Sequence, residues 1–227
     1  MQINAAPGLS LIMLKTDDPA RRVMGIDLAL RRWRDIGSAL ITCTDASHRP
    51  RVQTDVLPKR DGEPDARTLA RMLADGMEQR DIEVIAIDGT FAWRQPRPAM
   101  IARECDHPPR PGVGRWAEKL LHCQSKTGPR GHCYPGTQLR WTQFSIELVD
   151  RLIDAGVGVL VNDPATDALP RPARGCCYLM ESYPTATWRA AGLQPLPGKS
   201  RFRQQGMTLS HWSKSLADRF DLQWVDH

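Results

Sequence analysis

No apolar run in the chain approaches the roughly 18 residues that cross a bilayer, so the sequence predicts no membrane-spanning helix and no membrane partner. The N-terminus lacks a charged segment followed by an apolar stretch, and the expectation is a soluble, cytoplasmic protein. No internal repeat is visible, which excludes a repeat array. A disulfide framework is also absent: Cys43, Cys105, Cys123, Cys133, Cys176 and Cys177 follow no framework spacing. A chain of 227 residues buries a core without bridges, so these read as reduced thiols.

What the chain does hold is arginine. Its 31 basic residues exceed its 26 acidic ones, giving a formal charge of +5, and most of the basic residues are arginine. The guanidinium forks onto phosphate better than an ammonium does, so the balance permits a nucleic-acid or nucleotide partner without demanding one. The length suits one domain. Residues 1–20 carry no sustained periodicity and end in the turn signal Thr16-Asp17-Asp18-Pro19, so they read as an N-terminal arm; residues 21–227 read as a single domain with an insertion at about 89–137.

Periodicity orders the elements. Val23 to Ala29 is a buried strand with an acid inside it, and Gly37 to Cys43 and Arg51 to Leu57 are two more strands. The short polar connectors Arg31 to Ile36 and Thr44 to Pro50 suit hairpin turns, which makes these three an antiparallel meander. Asp65 to Arg80 then sets Leu69, Met72, Leu73 and Met77 at helical spacing. Ile82 to Asp88 is an apolar strand ending in an acid, and Gln138 to Ala155 is a helix with Phe144, Leu148 and Leu152 on one stripe. Strands follow at Val157 to Val161 and Cys176 to Met180, and helices at Thr185 to Ala191 and Thr208 to Phe220. A meander followed by βα units makes an α/β mixed sheet with helices on both faces. It matches a ribonuclease H-like fold better than a Rossmann fold, which alternates from its first strand.

Three acids stand out against this frame. Asp27 lies between apolar neighbours in the predicted central strand, where an ionised carboxylate costs several kcal/mol unless a cation or donors compensate it. Alone, it is either a metal ligand or a strand-end acid that caps a turn or pairs with an arginine. Asp88 repeats the grammar in Val84-Ile85-Ala86-Ile87-Asp88-Gly89, and Glu181 repeats it after Tyr178-Leu179-Met180. Sites in open α/β sheets gather at such strand ends, where adjacent strands lie about 4.8 Å apart. Repulsion of about 4 kcal/mol per pair, at about 4 Å and an effective dielectric of about 20, calls for divalent cations. Hard oxygen ligands point to Mg²⁺ or Mn²⁺, and two such ions about 3.5 to 4 Å apart serve phosphodiester hydrolysis.

The chain resembles a bacterial and archaeal family of unknown function described as predicted ribonuclease H-like nucleases. The matching stretches are Gly25-Ile26-Asp27-Leu28-Ala29, Ile85-Ala86-Ile87-Asp88, Arg103-Glu104-Cys105-Asp106, and Glu181-Ser182-Tyr183-Pro184 running through Trp188-Arg189, Gly192-Leu193 and Lys199-Ser200. The resemblance implies that Asp27, Asp88 and Glu181 form the acidic centre, that Arg103 and Asp106 belong to a loop beside it, and that Lys199 meets a phosphate. Family members continue into a final helix opening with an Asp-Ala-Leu segment, whereas this sequence stops at Val225-Asp226-His227. On the pattern that the resemblance implies, the closing acid is expected to be missing or approximated by Asp226.

Other residues carry two readings each. His122-Cys123 and His132-Cys133 offer four ligands that zinc accepts, at an unusual spacing, or are ordinary loop and core residues. Cys176-Cys177 is a reactive thiol pair or small packing residues of a strand. The segment Arg94 to Arg115, with Arg97, Arg103 and Arg110 between Trp93 and Trp116, grips phosphates and stacks on bases or is a solvated insertion. Trp188 and Leu193 are expected to pack the Glu181 segment onto the sheet.

The leading expectation is a Mg²⁺- or Mn²⁺-dependent phosphodiesterase acting on nucleic acid, DNA or RNA. Asp27, Asp88 and Glu181 would be its metal ligands, and Arg103, Asp106, Arg110 and Lys199 its substrate contacts. The alternative is a catalytically inactive nucleic-acid or nucleotide binding module of the same fold. A sugar-kinase-type phosphotransferase is third, because Lys126-Thr127 lacks the glycines of a phosphate loop and Gly112-Val113-Gly114 lacks the strand and helix around it.

Overall fold

The structure, a computed structural model, describes residues 21–44, 49–93, 115, 118, 127–128, 130–133, 135–160, 172–195 and 209–225. Strand β1 (Arg21–Asp27) alternates Met24 and Ile26, both buried, with residues facing the other way. It runs antiparallel to β2 (Gly37–Cys43), which pairs antiparallel with β3 (Arg51–Thr54). The β1–β2 connector is a short 3₁₀ turn, Trp33–Asp35, held by Arg32 donating to Asp35 at 2.9 Å, with Trp33 turned into the core.

Helix α1 (Ala66–Arg80) starts where the Asp65 carboxylate accepts the Thr68 N–H at 2.8 Å, and ends where Asp81 turns left-handed at φ 51°. The chain returns as β4 (Val84–Asp88), parallel to β1. Helix α2 (Leu139–Asp154) leads to β5 (Gly158–Leu160) and β6 (Cys177–Glu181), followed by α3 (Pro184–Ala190) and α4 (Leu209–Phe220). With an edge strand β7 (Gln223–Trp224), the strand order is β5-β6-β4-β1-β2-β3-β7, a mixed sheet whose meander and parallel half make the ribonuclease H-like topology.

The strand at the β3 edge, β7 (Gln223–Trp224), is a correction to the sequence expectation, which carried the chain past Phe220 without a strand. Two residues are too few to show alternation. They are placed by long-range backbone bonds, Gln223 N–H to Pro50 and Val225 N–H to Val52, each 2.9 Å.

One face of the sheet carries the core. Leu69, Leu73 and Met77 of α1 and Phe144, Leu148 and Leu152 of α2 pack over Met24, Ile26, Ile85 and Ile87. Each such side chain stabilises the fold by about 1.5–3 kcal/mol. The helix stripes fall where the sequence sets them, with Arg67, Arg71 and Glu78 exposed. Just beyond β4, Gly89 lets α2 approach: a Cβ there would meet Ser145 Oγ at 2.2 Å and Leu28 Cδ1 at 2.9 Å. No helix among the described residues is long and apolar enough to cross a membrane.

Candidate acidic site at the strand ends

Asp27 and Asp88 are register partners on parallel neighbours and close their strands together. Each follows a buried isoleucine, Ile26 or Ile87, so alternation turns both carboxylates onto the face away from the core. The sequence placed Asp27 inside a strand running to Ala29 and therefore in a dry interior. That is corrected here: β1 ends at Asp27 itself, and the residue is exposed while Asp88 is half-buried. Water reaches the pair, so the desolvation cost expected for Asp27 is largely avoided.

The two aspartates form one side of a recess of about 330 Å³ lined also by Gly25, Gly37, Ala39, Ala86, Ser182 and Pro184. Its floor follows from the register. Gly25 is flanked by Ala39 on β2 and Ala86 on β4, one row back from Gly37, Asp27 and Asp88.

Glu181 does not join them. Its register partner is Ile87, one position short of Asp88, so strand parity places it with the core-facing residues Cys177 and Leu179. Its carboxylate accepts from both prongs of Arg115, one at 2.7 Å, from the Tyr183 hydroxyl at 2.5 Å and from the Phe91 N–H at 3.3 Å. Arg115 lies in turn beside Glu118, which is buried and accepts from the Arg115 N–H at 3.0 Å and from Thr127 Oγ1 at 2.8 Å. Burial works against the Arg115 charge, but the bonds and charge of Glu181 outweigh it and hold the guanidinium pKa above its ordinary value. Burial, then the Glu181 charge, pushes the Tyr183 phenol up, so it stays protonated and donates. This is an ion-pair network that ties pieces of the insertion to the end of β6.

Among the described residues no group of three or more His, Cys, Asp or Glu is arranged to hold a metal. A pair of hard carboxylates does fit Mg²⁺ or Mn²⁺, because Mg²⁺ keeps several waters and is commonly held by one or two carboxylates plus substrate phosphate. Asp27 and Asp88, side by side and open to water, supply that donor set.

Arg103, Asp106, Arg110 and Lys199 lie outside the described residues, as do Asp226, His122, Cys123 and all of Arg94 to Arg115 except Arg115 itself. His132 is exposed; Cys133 is buried, donates to the Pro135 carbonyl at 3.4 Å and has its pKa raised by burial. Cys177 is buried and its thiol is pushed up to about 12 by burial and then by Cys176, so it packs as an inert thiol. Trp188 and Leu193 are half-buried, joined by the Leu193 N–H to the Trp188 carbonyl at 2.9 Å, and Gly192 stops the helix at φ 71°.

Arg115 is the partner that sequence reasoning did not single out for Glu181. The two are 66 positions apart and no local pattern links them. Compared with family models, with curated proteins and with solved structures, the chain has no significant match.

Proposed function

We propose that the protein is a Mg²⁺- or Mn²⁺-dependent phosphodiesterase acting on nucleic acid, in line with the predicted ribonuclease H-like nucleases its motifs resemble. One observation carries the reading: Asp27 and Asp88 are register partners at the carboxyl ends of adjacent parallel strands, beside a recess open to solvent. Two carboxylates on neighbouring strands repel by about 4 kcal/mol at about 4 Å and an effective dielectric of about 20, and this favours a cation between them. When bound, a divalent ion would offset the charge of a phosphodiester and polarise its phosphoryl oxygen. Asp27 and Asp88 would hold that ion. Ser182, on the recess wall, supplies a hydroxyl that can donate to a phosphate oxygen or accept from water. Substrate grip through Arg103, Asp106, Arg110 and Lys199 belongs to the same proposal.

The test is cleavage of single- and double-stranded DNA and RNA in Mn²⁺ by the parent, Asp27→Asn and Asp88→Asn. Mn²⁺-dependent cleavage by the parent alone supports the reading. Absence of cleavage of every substrate, or cleavage by both variants at the parent rate, removes it.

A second reading, a nucleic-acid binding module without hydrolysis, draws on the engagement of Glu181 by Arg115 and Tyr183, which leaves two acids rather than three in the recess. Binding of oligonucleotide without cleavage in Mn²⁺ would select it.

A further inference from the structure

Gly25 sits in the middle of the most central strand, where glycine is unfavourable and where close packing is its usual reason. Packing is not the reason here. A Cβ built on Gly25 meets nothing within 4 Å, and its φ lies outside the left-handed region that only glycine favours. The two other glycines near the acids differ. A Cβ on Gly37 would stand 3.2 Å from Asp27 Cβ, and one on Gly89 would strike Ser145.

The cross-strand rows on this face step in size toward the acids. Ile41, Val23 and Val84 form one row; Ala39, Gly25 and Ala86 form the next; Gly37, Asp27 and Asp88 form the last. Side chains on one face of neighbouring strands stand side by side, so the drop from branched residues to Ala-Gly-Ala opens a hollow directly before the carboxylates. The recess of about 330 Å³ occupies that hollow, within the range of small-ligand sites. Its floor is flat and apolar, and one end is anionic.

We infer that Gly25 is a specificity-determining residue: its missing side chain clears the floor on which the sugar of the nucleotide next to the scissile phosphate lies. This rests on the phosphodiesterase reading above. The carbon-bound hydrogens of a sugar ring seat on an apolar floor while its phosphate stays at the acidic end with the cation. A side chain at position 25 would stand in the middle of that floor, its Cβ meeting nothing within 4 Å. The chain keeps glycine where valine would suit a strand better.

The experiment compares the parent, Gly25→Ala and Gly25→Val in three measurements: thermal melts without metal, the Mn²⁺-induced shift of those melts, and affinity in Mn²⁺ for a short fluorescent single-stranded oligonucleotide with cleavage-resistant phosphorothioate linkages. The expected result is that both variants melt no lower than the parent and keep its Mn²⁺ shift, while Gly25→Val loses affinity by about tenfold or more and Gly25→Ala by less. Three results overturn the inference. One is Gly25→Val binding as the parent does. Another is Gly25→Val melting well below the parent, which would make the glycine a packing residue. The third is loss of the Mn²⁺ shift in Gly25→Ala. A parent that shows neither Mn²⁺ shift nor oligonucleotide binding would sink the functional reading itself, and this inference with it.

Discussion

Arg115 reaches across 66 positions of sequence to close both guanidinium prongs on the Glu181 carboxylate, and Tyr183 donates to the same carboxylate at 2.5 Å. Arg115 and Glu181 are only 13% and 15% exposed, so removing either partner leaves a mostly desolvated charge. Glu181→Gln or Arg115→Ala should therefore cost about 3 kcal/mol, the lower part of the range for a buried pair. The loss should be the same with and without Mn²⁺. Urea unfolding in both conditions checks it, and a Glu181→Gln variant of parent stability that had lost its Mn²⁺ response would make Glu181 a metal ligand after all.

Asp27→Asn keeps shape and removes charge from a residue that is exposed and faces Asp88. Because Asp27 is exposed, the substitution should change the stability of the metal-free protein by no more than about 1 kcal/mol. At one hundred times the dissociation constant, Mn²⁺ should stabilise the parent by about 2.7 kcal/mol and the variant by much less. Thermal melts of both proteins, with and without Mn²⁺, read the difference. A metal-independent collapse of Asp27→Asn would mark a structural acid.

The fold was legible because its evidence is local. Three alternating runs, two apolar helix stripes and the β-run, acid, glycine grammar at Asp27 and Asp88 each span a few residues, and each element formed within two or three residues of its expected bounds. The face on which Glu181 lies was harder to read. Asp27 and Asp88 stand one step beyond a buried isoleucine, whereas Glu181 stands two steps beyond buried Leu179, so parity separates it from them. In Cys177-Tyr178-Leu179-Met180 every residue is apolar or nearly so, and the sequence gives no alternation to tell which half faces the core. The Arg115 ion pair and the β7 edge strand depend on contacts between distant segments, which periodicity does not encode.

The first turn of α1 offers a test through pH. The Thr68 N–H bond, ahead of the opposing effect of burial, holds the Asp65 carboxyl below its ordinary value. A carboxylate whose folded pKa is depressed stabilises the protein above the unfolded value, about 3.9, and loses that contribution as pH falls through the folded value. Asp65→Ala should cost about 1 kcal/mol at neutral pH, the usual loss for an N-cap. The gap between parent and variant should close in acid, and melts across the range should show it narrowing. A gap independent of pH would mean that the capping charge contributes nothing.

Gly89 ties the acidic strand end to the core helix. An added Cβ would lie 2.2 Å from Ser145 Oγ, 2.9 Å from Leu28 Cδ1 and 3.2 Å from Ser145 Cβ. Ser145 is fully buried and its hydroxyl has no hydrogen-bond partner among the described residues, so that oxygen contributes little that its removal would forfeit. Gly89→Ala should therefore destabilise by about 1–3 kcal/mol through overpacking, because α2 must retreat from β4. Ser145→Ala alone should be near neutral or stabilising. In the double variant the worst clash is gone, and Leu28 and the Ser145 Cβ position remain as tighter contacts that rotamer shifts can absorb. The two effects are thus coupled, and the double variant should recover about 1 kcal/mol relative to Gly89→Ala, a coupling typical of side chains in direct contact. Urea unfolding of the four proteins gives the cycle. Additive losses would show that Gly89 is constrained by Leu28 or the backbone and not by the helix; recovery would place the limit on the α2 approach at the Ser145 hydroxyl.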